Sequence, residues 1–201
     1  MKNKTETADK FEEEMRNKVN DLDNKIKDHV EYIYFLESEV SRLDQYGRRE
    51  NIEIMGLPAK VNNKDLERTV LQILKTIGLK HIQHYHIVAC HRLGKKDKYG
   101  NRNVIIRFIN RKDAILCLKN KKNLQNCKNI GFNNLHIVEN LCPSYKSIFE
   151  SLTEFKYEGK IKKVWSFNGV INYKLSDNDN EHPTKIYHEK ELDHFYAADT
   201  P

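Results

Sequence analysis

Residues 51–58 read NIEIMGLP. Ile52 and Ile54 alternate with Asn51, Glu53 and Met55, and Gly56 and Pro58 close the run. That is the signature of a strand with one buried face, followed by a turn. Downstream, residues 63–77 carry Leu66, Val70, Leu71, Ile73, Leu74 and Ile77 at helical spacing, with Asn63 as expected N-cap and Gly78 at the far end. Residues 86–93 read as a second strand and residues 95–102 as a basic, turn-rich loop. Val104–Ile109 is the most β-branched run of the chain. Asn110 is placed to cap a short helix through Ala114, Ile115 and Leu118, and residues 135–138 supply a last strand.

The order is β-α-β-β-α-β, which predicts an RRM-like (ferredoxin-like βαββαβ) domain over residues 48–139 within an α+β chain. With Ile52, Ile54, Val104, Ile106 and Phe108 turned inward, the open face receives Asn51, Glu53, Met55, Asn103, Ile105 and Arg107. RNA-recognition domains stack bases on aromatic residues at such positions. None is present here, so an atypical member is expected, one that engages a polyanion from loops and edges.

Upstream, between Met15 and Leu43, apolar residues step alternately by four and three. Val19, Ile26, Ile33 and Val40 fall at heptad position a, and Met15, Leu22, His29, Leu36 and Leu43 at d. A parallel coiled coil over residues 10–46 follows, ending where Gly47 takes an a position. β-branched a residues favour a dimer, whereas the polar His29 at d leaves dimer and trimer both open. Protonated His29 sets like charges against each other across the seam, so the coil is expected to loosen in mildly acidic solution. An assembly mass unchanged between about pH 5.5 and 8 counts against that.

Beyond residue 139, Pro143 suits a first helical position, with Tyr145, Ile148, Phe149, Leu152 and Phe155 following up to Gly159. Asn168-Gly169 between two alternating runs predicts a hairpin pairing Phe167 with Val170, Trp165 with Asn172 and Lys163 with Lys174. Residues 140–201 therefore read as a small α+β C-terminal domain with a β-hairpin. Residues 185–188 are a candidate edge strand, and residues 189–196 have helical spacing.

The 201 residues carry 35 Lys+Arg and 29 Asp+Glu, a net charge of +6. The charge is segregated: −4 over residues 1–46, +15 over 47–175 and −5 over 176–201. A basic body between acidic ends suits a polyanion. Arg48, Arg49, Arg92, Lys95, Lys96, Arg102, Arg107, Arg111 and Lys112 are the candidate phosphate contacts. On the hairpin, Lys160, Lys162, Lys163 and Lys174 surround Trp165, an aromatic among bases as in single-strand binding. The same spacing also serves a hairpin with Trp165 in its core and lysines extended to solvent.

Enzyme chemistry has no foothold in the sequence. Cys90, Cys117, Cys127 and Cys142 form no C-x-x-C pair, and His81, His84 and His86 lack a nearby cysteine or carboxylate. No metal, cofactor or catalytic residue is expected. No apolar run approaches a membrane span, and the acidic start is unlike a secretory signal. The expectation is an intracellular protein, cytoplasmic or nuclear.

The run RRENIEIMGLP (residues 48–58) directly after a heptad coil resembles the RNA-binding region of proteins encoded by the first open reading frame of LINE retrotransposons. HRLG (91–94), VIIRF (104–108) and EGKIKKVW (158–165) are similar to baculovirus few-polyhedra proteins and few-polyhedra-like C-terminal domains of transposable elements. The resemblance runs from about Arg48 to Phe195. It implies a homo-oligomeric coil, an atypical RNA-recognition fold and a C-terminal domain that bind single-stranded RNA or DNA and act as a nucleic-acid chaperone. Arg48, Arg49 and Asn51 match the junction motif, and Arg107 the basic place on the third strand. Glu53 departs from the basic residue common in retrotransposon members. The baculovirus likeness implies instead a structural virion or occlusion role with viral structural proteins as partners.

Overall fold

The computed structural model describes residues 2–94, 96, 100–178 and 180–197. It is an α+β chain with a long N-terminal helix and two antiparallel sheets. The chain divides into two compact units, the boundary falling after Val40.

Helix α1 (Lys2–Gly47) runs unbroken through every heptad. Glu12–Arg16, Asp21–Lys25 and Asp23–Lys27 pair at 3.3, 2.7 and 2.8 Å, each with the acid four residues before the base. That orientation opposes the helix dipole and adds about 0.3–0.5 kcal/mol per pair. Up to Val40, Met15, Val19, Leu22, Ile26, Ile33, Leu36 and Val40 are all exposed, Ile26 at 59%. Each of these seam residues is thus left open to solvent.

The unit from Ser41 onward holds two hydrophobic cores. The first is built from β1 (Asn51–Met55), α2 (Leu66–Thr76), β2 (Ile87–Arg92), β3 (Val104–Phe108), α3 (Arg111–Asn120) and β4 (His136–Glu139). The sheet order is β2-β3-β1-β4, every neighbouring pair antiparallel. Ile52, Ile54, Val104, Ile106 and Phe108 are fully buried against Val70, Ile73 and Leu74 of α2 and Ala114 and Cys117 of α3. Each such aliphatic contributes roughly 1.5–3 kcal/mol. Asn110 caps α3 as expected, its side chain accepting the Lys112 N–H.

One local expectation is corrected. Asn63 is not the N-cap of α2: Asn62 Oδ1 accepts the Asp65 N–H at 3.0 Å, a turn that delays the helix to Leu66. Between α3 and β4, residues Lys121–Ile130 form 3-10 turns, whose threefold repeat gives no helical stripe to read. Gly56 is required where it stands, since at φ +80° a Cβ would lie 1.9 Å from the Asn134 carbonyl oxygen.

The second core joins α4 (Pro143–Tyr157) to a sheet of β5 (Lys163–Phe167), β6 (Val170–Lys174) and β7 (Thr184–Ile186). Tyr145, Ile148, Leu152 and Phe155 meet Ile171, Tyr173 and Ile186. Helix α5 (Asp193–Ala197) closes the core, with the Phe195 ring stacked 4.9 Å from that of Phe155. The hairpin register is the expected one. Asn168 and Gly169 both take positive φ, +58° and +76°, as a two-residue hairpin turn demands. After β6, Glu181 accepts from the Leu175 and Ser176 N–H groups and the Ser176 hydroxyl. The hydroxyl first, then the Leu175 N–H, hold its carboxyl below the usual range. Among the described residues, no helix is long and apolar enough to cross a membrane.

Candidate functional site

The sheet's open face and the C-terminal core bound a cleft of about 640 Å³. One wall consists of Asn51, Glu53 and Met55 of β1, with Asn103, Val138 and Asn140. The opposite wall consists of Phe149 on α4 and Trp165 and Phe167 on β5. Arg48 and Arg49 stand at one border, and Arg111, Lys119 and Lys121 at another. The outward positions of the sheet carry no aromatic, as expected, but three aromatic residues reach the same space from the second core.

A polar network covers the sheet wall. Asn140 Nδ2 donates to Glu53 Oε1 at 2.6 Å, and Asn103 Nδ2 to Glu53 Oε2 at 3.1 Å. Asn140 Oδ1 accepts from Arg48 Nη1 and from Asn51 Nδ2, each at 3.3 Å. Asp44 holds Arg48 through a two-point ion pair, 2.8 and 3.2 Å. The Arg49 guanidinium lies 3.3 Å from the Tyr46 ring centroid, a cation–π contact that orients it. Gln45, buried in the last turns of α1, accepts the Cys142 N–H at 2.7 Å and donates to the Asn140 carbonyl at 3.1 Å. At the turn of the hairpin, Glu139 accepts from the Asn168 and Gly169 N–H groups, and Arg111 Nη2 donates to Asn168 Oδ1.

Two buried side-chain atoms among the described residues have no hydrogen-bond partner, Asn51 Oδ1 and Arg111 Nε. Both residues line the cleft. Buried polar atoms are ordinarily satisfied, so these two are departures from the rule.

No protein-family model matches the chain, and no curated protein matches it either.

Of the residues singled out in the sequence, Arg48, Arg49, Asn51, Arg111 and Trp165 come together at the cleft. The others do not. Arg92 donates to the carbonyl oxygens of Leu57, Pro58, Val61 and Arg102 at 2.6–3.1 Å. Burial, then the neighbouring Arg102, lowers its pKa. Arg102 in turn donates to the Arg92 carbonyl. Lys96 and Lys112 are exposed, Arg107 pairs with Glu50 at 3.5 Å, and Lys95 lies outside the described residues. Lys160 pairs with Glu158 and the Phe195 carbonyl, and Lys162 is exposed.

Lys163 and Lys174 face each other across the hairpin. Asp177 stands 3.3 Å from Lys163, and the Asn178 carbonyl 3.2 Å from Lys174. The adjoining loop thus supplies the counter-charge that two opposed lysines require. His81 Nε2 lies 3.5 Å from Asp113 Oδ1, and His86 Nδ1 accepts the Gln83 N–H. Among the described residues, no group of three His, Cys, Asp or Glu is placed to hold a metal ion.

Lys119, Lys121, Lys146, Phe149, Glu139 and Asn140 were missed in the sequence. Phe149 left a trace: it flanks the buried stripe of Tyr145, Ile148 and Leu152, with Lys146 one turn away. Glu139 and Asn140 left none, because their roles depend on contacts distant in the chain.

Proposed function

We propose that this chain is a nonenzymatic, homo-oligomeric protein that binds single-stranded RNA or DNA with low sequence preference, in the manner of a nucleic-acid chaperone. The carrying observation is the cleft itself. Arg48, Arg49, Arg111, Lys119, Lys121 and Lys146 surround a space walled by Phe149, Trp165 and Phe167. Cations that follow a phosphate backbone beside aromatic faces that stack bases are the two parts of single-strand recognition. Of the acidic lining residues, Glu53 and Glu139 are engaged by amide donors, which mutes their repulsion of phosphate.

On this reading the first core is an atypical RNA-recognition fold, supported by its βαββαβ order and by the strand order β2-β3-β1-β4. The exposed heptad seam of α1 is the oligomerising element, and it would place several clefts in one particle, raising avidity without new contacts. The likeness to few-polyhedra and LINE first-frame proteins belongs to the same proposal.

The test is fluorescence anisotropy of a labelled single-stranded RNA against salt, with Trp165→Ala and the Arg48→Ala/Arg49→Ala pair. Micromolar binding at low salt, a steep salt slope and a loss of about 1–3 kcal/mol in the Trp165 variant are expected. Absence of micromolar binding at low salt overturns the proposal and leaves the seam, and a structural or adaptor role through protein partners, as the alternative.

A further inference from the structure

Gln45, in the last turn of α1, is only 5% exposed. Its side chain meets three places that are far from it in sequence: Asn140, Cys142 and Gly169. Nε2 donates to the Asn140 main-chain carbonyl at 3.1 Å, and Oε1 accepts the Cys142 N–H at 2.7 Å. A carbonyl only accepts and a main-chain N–H only donates, so the amide has one orientation. The third neighbour is a close approach: a Cβ on Gly169 would lie 2.9 Å from Gln45 Cγ and 3.1 Å from its Nε2. The bare glycine therefore admits this side chain against the turn of the hairpin.

Those contacts touch both walls of the cleft. The Asn140 side chain holds Glu53, Asn51 and Arg48 on the sheet wall. Cys142 is the N-cap of α4, which brings Phe149 to the opposite wall. Gly169 belongs to the turn that follows β5, the strand carrying Trp165 and Phe167. We infer that Gln45 is the positioning residue of the cleft, fixing the sheet wall and the aromatic wall in the arrangement that receives a single strand. The inference rests on the nucleic-acid reading above and adds that the end of the helix bearing the seam is part of the frame of each binding site. A binding site keeps its geometry only where supporting side chains are themselves locked. Without the Gln45 amide, a buried carbonyl and a buried N–H lose their partner. The walls then hold the receptive arrangement for a fraction of the time, and apparent affinity falls by that fraction.

The experiment compares the full chain with Gln45→Met, which keeps the length of the side chain and removes both hydrogen bonds. Titration calorimetry with hexauridylate reads affinity. Acrylamide quenching of Trp165, the chain's single tryptophan, reads the aromatic wall in the free protein. Gln45→Met is expected to bind about tenfold more weakly and to show a larger quenching constant. Arg92→Lys, which lowers stability away from the cleft, is expected to move neither. Gln45→Glu keeps the acceptor for the Cys142 N–H but sets a carboxylate against the Asn140 carbonyl, and it repeats the test where the methionine variant does not fold. Unchanged affinity or unchanged quenching in the folded variant overturns the inference, as does an equal shift in Arg92→Lys or collapse of both position-45 variants. Each of those outcomes leaves nucleic-acid binding by the unaltered chain intact. Failure of the unaltered chain to bind hexauridylate or a longer strand even at low salt overturns both.

Discussion

Glu139, the last residue of β4, and Asn168, in the turn between β5 and β6, are joined by a 2.6 Å hydrogen bond from the Asn168 N–H to Oε1. The second carboxylate oxygen takes the Gly169 N–H at 3.1 Å. One side chain at the edge of the first sheet thus fixes the hairpin that carries Trp165. Glu139→Ala should cost about 2 kcal/mol, because bonds to a charged acceptor are the stronger kind. Trp165 is the chain's single tryptophan, so a urea titration followed by its fluorescence reads the effect directly. An unchanged midpoint would count against the clamp.

Arg92 and Arg111 looked alike in the sequence and should now behave differently. Arg92 holds four main-chain carbonyls, a fork that a lysine does not reproduce. Arg92→Lys is expected to lower stability by about 2 kcal/mol and to leave the salt slope of RNA binding unchanged. Arg111→Ala should instead reduce that slope by about one. Thermal melts and salt titrations on both variants check the pair, and equal slope changes would reject the distinction.

Cys117 is buried in the first core, and burial, aided by the Asp113 charge, pushes its thiol up to about 12. Above the ordinary thiol range, the unfolded chain loses this proton while the folded one keeps it. Stability therefore falls as pH rises through that window, by up to about 1.4 kcal/mol per unit. Below the window the group contributes no slope. Denaturant midpoints compared at about pH 7.5 and 10 should show the fall, and Cys117→Ala should lessen it.

The seam of α1 makes the most direct prediction. Ile26→Asp together with Ile33→Asp should reduce the particle mass measured by light scattering to that of one chain, 23.8 kDa, and lower helicity. A native chain that already runs at that mass removes the seam's role in assembly.

Local patterns were readable wherever neighbouring residues determine the outcome. Asn168-Gly169 set the hairpin register, and the alternation of Ile52 and Ile54 set the buried face of β1. The cleft was less legible, because its key groups act across long sequence distances. Gln45 illustrates the limit. The heptads assign it to the f position, opposite the seam, where a polar residue reads as solvated. It is buried instead, since that face of α1 meets the segment between β4 and α4. Arg92 failed for a similar reason: a basic residue beside a basic loop gives no sign that four carbonyl oxygens converge on it.

The clamp on the hairpin turn also bears on how the protein ages. An asparagine followed by glycine is the dipeptide most prone to deamidation, a reaction in which the glycine amide nitrogen attacks the asparagine side chain. Here the Gly169 N–H is held by Glu139, and the Asn168 amide oxygen by Arg111. In the folded turn both groups are held in place, so the side chain and the amide nitrogen cannot turn freely to meet. The same contacts that position Trp165 protect the turn from acquiring an aspartate, whose carboxylate would face that of Glu139. The chain's chemical lifetime is in this sense a property of its tertiary structure.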